Sequence, residues 1–135
     1  LLKDNNHLIT GDHIMQGSTV VIAPPDGNMR DYLTSLEKLK NYNIEVLAPG
    51  HGDYIYKPFE AVDWIINHRL NREKKVLEKV RAKDGIALDD LVKDVYDDVD
   101  PRLHRIAKAS LEAHLIKLEA DGKVRTKANN WKQIN

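Results

Sequence analysis

Pro58 divides this chain into two stretches whose apolar residues follow different periods, so no single layer of helices or strands can bury both. Before it, the apolar residues come in short runs bounded by glycine and proline. His7-Leu8-Ile9-Thr10 predicts a strand that stops at Gly11-Asp12-His13. Thr19-Val20-Val21-Ile22-Ala23, apolar on both faces and halted by Pro24-Pro25-Asp26-Gly27, predicts a buried strand. Asn28 suits a helix cap, Asp31 falls in the first turn, and Tyr32, Leu33, Leu36 and Leu39 recur at helical spacing to about Lys40. Ile44 to Ala48 predicts another strand, ended by Pro49-Gly50-His51-Gly52-Asp53. Strand, helix, strand is the α/β layer pattern.

After Pro58 one long amphipathic helix is expected, with Val62, Ile65, Ile66, Leu70, Leu77 and Val80 on one side. From Arg69 to Lys83 it carries seven basic residues against two acidic, the only strongly basic segment of the chain. Gly85 breaks it, and Leu88, Leu91, Val92, Val95 and Tyr96 trace a short second helix. Pro101 suits the first turn of a third, carrying Leu103, Ile106, Ala107, Leu111, Leu115 and Leu118 until Asp121-Gly122 ends it. Lys123 to Ala128 and Trp131 to Ile134, with Asn129-Asn130 between, predict a two-stranded hairpin. This is the order of a winged helix. The expected division is an α/β part over 1–58, a connecting helix over 59–83 and a winged helix over 84–135.

Composition narrows the function classes. At 135 residues, 41% hydrophobic and 31% charged, the chain is neither a disordered tail nor a fibrous protein. Lys plus Arg and Asp plus Glu are 21 each, so no overall basic field points to nucleic acid, and any such binding has to be local. Residues 84–135 hold nine basic and ten acidic side chains, a net of minus one. With no cysteine there is no disulfide, thiol nucleophile or thiolate metal site, which leaves histidine and carboxylate as metal donors. No run approaches the ~20 apolar residues of a membrane span, so no membrane partner is expected. Leu1-Leu2-Lys3-Asp4 lacks the shape of a signal peptide, and a cytoplasmic location is the expectation. The absence of an initiating methionine points to missing upstream residues, with which a targeting signal would have been lost.

Asp12 and His51 each sit in a glycine-containing loop directly after a predicted strand, the place where α/β proteins put their ligands. A carboxylate bridges two metal ions readily, and a neutral imidazole completes the shell of one. The same two residues equally suit an Asx turn and a packed tight turn, and spacing alone leaves both readings open.

The run Leu8-Ile9-Thr10-Gly11-Asp12-His13-Ile14-Met15, followed by Gly17 to Gly27, Tyr32-Leu33-Thr34-Ser35-Leu36 and Ala48-Pro49-Gly50-His51-Gly52, resembles the C-terminal half of a metallo-β-lactamase-fold hydrolase. Continuing through His68-Arg69 and Arg72-Glu73 into a winged helix, the chain is similar to the lactamase-like subgroup that includes an animal mitochondrial endoribonuclease. The resemblance implies an α/β (α+β) fold, half of an αββα sandwich followed by a winged helix. It implies two zinc ions in the complete protein, bridged by Asp12 and with His51 on one of them. The family's His-x-His-x-Asp-His motif and one further histidine ligand are absent here, so the chain is expected to begin midway through a catalytic domain and to be inactive alone.

The complete protein would then be a hydrolase of phosphodiesters, such as RNA, or of thioesters, ahead of β-lactams. His13 follows the bridging ligand and is a candidate to support it, or simply a loop residue. His68, Arg69 and Arg72, with Glu73, occupy adjoining helical turns, where the arginines either hold an anionic substrate or form structural ion pairs. Arg102, His104, Arg105 and Lys108 on the third helix, with Lys123, Arg125, Lys127 and Lys132 on the hairpin, are the candidate contacts to nucleic acid such as single-stranded RNA, against the favoured reading of this module as a lid or packing domain near the active site. Trp131 either stacks a base or closes a small core. His7, His104 and His114 have no partner at ligand spacing and are expected to be structural or surface residues. A half sandwich leaves sheet surface uncovered, so the missing N-terminal half or a second copy of the chain is expected to cover it. The rival reading is a nucleic-acid- or protein-binding winged helix on a non-catalytic lactamase-like scaffold.

Overall fold

A computed structural model of the chain describes residues 7–11, 28–42, 44, 46–49, 57–83, 85–127 and 129–134. The chain divides into two compact units, Leu1–Val20 with Asp31–Arg69, and Val21–Arg30 with Leu70–Asn135. The boundary in the long helix lies between Arg69 and Leu70.

In the first unit β1 (His7–Gly11) pairs in parallel with β2 (Val46–Pro49), with His7 opposite Val46 and Gly11 opposite Pro49. A parallel pair needs a crossover, and α1 (Met29–Leu39) lies between the two strands in the chain. Tyr32, Leu33 and Leu36 are buried at helical spacing. The long helix α2 (Pro58–Arg81) buries Val62, Ile65 and Ile66 here, and Lys40 after α1 forms an ion pair with Asp63 on α2. The expected strand over Thr19–Ala23 lies outside the described residues.

The second unit is built from the rest of α2, β3 (Ile86–Ala87), α3 (Leu88–Val95), a 3-10 turn (Pro101–Leu103), α4 (His104–Ala120), β4 (Val124–Lys127) and β5 (Asn130–Gln133). Val76 and Val80 of α2 join Leu91 and Val95 of α3, Leu111, Leu115 and Leu118 of α4, and Val124 of β4 in one core. Trp131 packs against that core from β5. The expected two-stranded hairpin is the outer part of a three-stranded sheet of order β3-β5-β4, because Ile86 pairs antiparallel with Trp131. A two-residue strand carries no period that a sequence pattern reveals.

Three leucine and isoleucine positions expected in the core are exposed instead. Leu70 is 43% exposed, Leu103 50% and Ile106 54%. At 3.6 residues per turn, Ile106 lies about 140° around α4 from Leu111, and Leu70 about 120° around α2 from Val76. Leu103 falls in the 3-10 turn, before α4 begins. That turn is capped by Asp100, whose side chain accepts a hydrogen bond from the Arg102 N–H at 2.9 Å.

The basic charge of α2 is met by the acidic end of α3 and the segment after it. Arg72 makes two hydrogen bonds to Asp98, at 2.8 and 3.1 Å, donates to the Val95 carbonyl at 2.8 Å and lies over the Tyr96 ring. Lys75 pairs with Asp97, and Lys83 with Asp94 at 3.2 Å. Deeper in, Lys117 on α4 donates to buried Glu73 on α2 at 3.0 Å and to Asp121 at 3.2 Å. The hydrogen bond from Lys75 holds the Asp97 carboxyl below its ordinary value, and that from Arg72 does the same for Asp98.

Two outcomes are expected. Leu115→Ala removes a fully buried side chain and should lower stability by about 2–5 kcal/mol in urea unfolding. Asp97 and Asp98 titrate lower folded than unfolded, so the unfolded chain takes up protons first as pH falls. The stability they contribute is present above about pH 4 and is lost as pH drops through the folded values. The melting temperature of Asp97→Asn/Asp98→Asn should therefore fall less steeply between about pH 5 and pH 2 than that of the parent chain.

Candidate functional site

The two paired strands of the first unit run in the same direction and end side by side, Gly11 against Pro49. The residues next along the chain are Asp12 after β1 and, two positions beyond β2, His51. This common carboxyl end is where an open α/β sheet gathers its ligands. Asp12, His13 and His51 themselves lie outside the described residues. Among the described residues, no three His, Asp or Glu side chains come together in a way that would hold a metal ion.

The candidates on α2 have well-defined surroundings. His68 stacks on Trp64 one helical turn away, with ring centroids 5.1 Å apart. Arg69 is only 4% exposed, and its guanidinium carbon lies 5.5 Å from the centre of the Tyr32 ring. Burial pushes the Tyr32 hydroxyl above its ordinary value, while the Arg69 charge pulls the other way. Arg72 is engaged with Asp98, the Val95 carbonyl and Tyr96, as described above. Glu73 belongs to the buried pair with Lys117.

Around the start of α4 the structure forms a groove of about 720 Å³ whose lining includes Val92, Lys93, Val99, Pro101, Arg105 and Lys108. His104 faces two carbonyl oxygens, Tyr96 at 2.8 Å and Val99 at 3.1 Å, so its Nε2 carries the proton and the ring fastens the chain between α3 and α4. Arg102 is bound back onto Asp100 through Nε and Nη2, the latter at 2.7 Å. Lys108 pairs with Asp89 on α3, and the Lys108 hydrogen bond holds the Asp89 carboxyl below its ordinary value. The groove and the Lys108–Asp89 pair escaped the sequence reading, since each brings together residues from separate elements. Lys127 is exposed near the end of β4. His114 is 1% exposed within α4.

Residues 87–131 match the family model described as the beta-lactamase associated winged helix domain. A beta-lactamase-like protein 2 homolog from Drosophila melanogaster is 32% identical over 127 residues, covering 93% of this chain and 42% of the relative. One of the same description from Caenorhabditis elegans is 33% identical, covering 91% of this chain and 40% of its own. Among solved structures, a beta-lactamase domain protein from Burkholderia ambifaria superposes with a TM-score of 0.85 at 17% identity, covering 96% of this chain and 41% of that one. The chain thus spans about two fifths of the length of the relatives it matches. No helix among the described residues is long and apolar enough to cross a membrane. The chain thus shares the fold of these metallo-β-lactamase-type structures, aligns with two beta-lactamase-like protein 2 homologs over nine tenths of its length, and over residues 87–131 matches a beta-lactamase-associated winged helix.

Proposed function

We propose that this chain is part of a zinc-dependent hydrolase that cleaves a phosphodiester or thioester in preference to a β-lactam. The observation that carries the reading is the identity of about a third to two beta-lactamase-like protein 2 homologs, sustained over more than nine tenths of the chain. It is supported by the paired ends of β1 and β2, from which the chain leads directly into Asp12 and into Pro49-Gly50-His51-Gly52.

A carboxylate and an imidazole are suitable donors for zinc, but two donors fill half of its usual four-coordinate shell. Asp12 and His51 therefore do not make a site by themselves, and the remaining donors belong to the part of the protein that the relatives have in addition. The buried Arg69 and the Arg72–Asp98 pair act in this reading as supports of α2. The purified 135-residue chain should hold well below one zinc ion by elemental analysis, unchanged in Asp12→Ala/His51→Ala. The protein extended to the relatives' length should hold about two, lose them in the same double variant, and hydrolyse a diester or thioester probe but not a chromogenic cephalosporin. An extended protein that carries no metal, or that turns over the cephalosporin best, overturns the proposal.

A further inference from the structure

The groove around the start of α4 joins an apolar wall to charges that the fold does not use up. Its lining includes buried Val92, half-buried Val99 and exposed Pro101. The same groove is lined by the cations Lys93, Arg105 and Lys108 and by the acids Asp89 and Asp97. Both acids are already held, Asp89 by Lys108 across the two helices and Asp97 by Lys75 of α2. Lys93 adds only its charge to that of Lys108 near Asp89. Among the described residues, neither Lys93 nor Arg105 forms an ion pair, and both are exposed. His104 is committed through Nε2 to the Tyr96 and Val99 carbonyls and closes one side of the groove.

Size and charge identify what such a groove fits. Its volume of about 720 Å³ lies within the range of small-molecule sites, roughly 300–1,000 Å³, which are mostly apolar with a few placed polar groups. A bare inorganic anion would leave the apolar wall in water, and a neutral hydrocarbon would leave the two cations unmatched. A protein partner calls for an apolar centre that continues beyond the groove. α4 does not supply one there, because exposed Ile106 lies about 160° around the helix from Lys108 and Leu103 falls in the 3-10 turn before it.

We propose that the groove between α3 and α4 binds an amphiphilic monoanion, a carboxylate on an unbranched hydrocarbon chain, with Lys93 and Arg105 as its charge partners and Val92, Val99 and Pro101 along the chain. The arginine contributes the planar N–H fork that suits a carboxylate, and the lysine a second positive charge from the facing helix. All of these residues belong to the second unit. The inference goes beyond the hydrolase reading. It concerns binding by this chain alone and needs no metal, so zinc content and turnover do not bear on it.

The experiment is a titration of the chain with hexanoate, octanoate and decanoate below their micelle-forming concentrations, read by calorimetry and by backbone amide NMR shifts. One equivalent should bind, and affinity should rise about two- to threefold with each added methylene. The shifts should centre on Lys93, Val99, Arg105 and Lys108. Decanol and decyltrimethylammonium should bind at least about tenfold more weakly than decanoate, and inorganic phosphate should leave those amides unmoved. Lys93→Gln/Arg105→Gln should weaken decanoate binding about tenfold with the circular dichroism melt unchanged, while Lys123→Gln/Lys127→Gln should bind as the parent does. The proposal is overturned if saturating decanoate leaves the groove amides unmoved, if decanol binds as well, or if the Lys123/Lys127 variant loses as much affinity. It is equally overturned if a short peptide of alternating glutamate and leucine, or vesicles containing anionic lipid, bind the groove more tightly than decanoate.

Discussion

Leu111, Leu115 and Leu118 project from α4 at helical spacing and meet Val76 and Val80 of α2, and the rest of the second unit is arranged around that contact. A unit of this size buries a smaller share of its surface than a large domain does, so few side chains carry most of its stability. α3 adds Leu91, Val92 and Val95, and the sheet adds Ile86 and Val124, each element contributing one apolar face and leaving the other to solvent. The wing sheet therefore touches the core on one side alone. Its outer side is free to carry charge at no cost to packing.

Electrostatics complete the arrangement that the apolar core begins. The basic run of α2 suggests a polyanion surface when read as sequence, yet Arg72, Lys75 and Lys83 meet Asp98, Asp97 and Asp94 in the folded unit. Exposed pairs of this kind contribute little individually. Arg72 is different because its guanidinium also bonds a backbone carbonyl and covers the Tyr96 ring, so it orders the chain leaving α3. The Glu73–Lys117 pair is largely buried and joins α2 to α4. A buried pair of this type specifies one packing arrangement more than it adds stability.

The helices were legible because their apolar residues recur over many turns. α2 and α4 lie within a few residues of the expected spans, and β1 and β2 emerge from short apolar runs stopped by glycine and proline. What escaped was decided by contacts between segments far apart in the chain. Arg72 finds its carboxylate 26 residues away, and Ile86 becomes a strand because Trp131 pairs with it. Leu103 and Ile106 fit a helical pattern by type, but a 3-10 turn and a 140° rotation put them in solvent, a distinction that apolar periodicity alone does not draw. Asp12 and His51 stand out as candidate donors by residue type and position, and both lie outside the described residues.

Net charge is a poor guide to what a small domain binds, and the winged helix shows why. Acidic residues on and after α3 pair with Arg72, Lys83 and Lys108 at hydrogen-bond distance, so these pairs project little field beyond the surface. Among the described residues, no carboxylate pairs with Lys123, Arg125 or Lys127 on the wing. Arg125 directly opposite Lys132 on a two-strand ladder is a like-charge pair that disfavours the sheet it sits in. Stability alone would favour threonine, or an acid opposite one of the two, at those positions. The same fold thus pairs its charges where helices must pack and sets like charges opposite one another on a sheet face that adds nothing to the core.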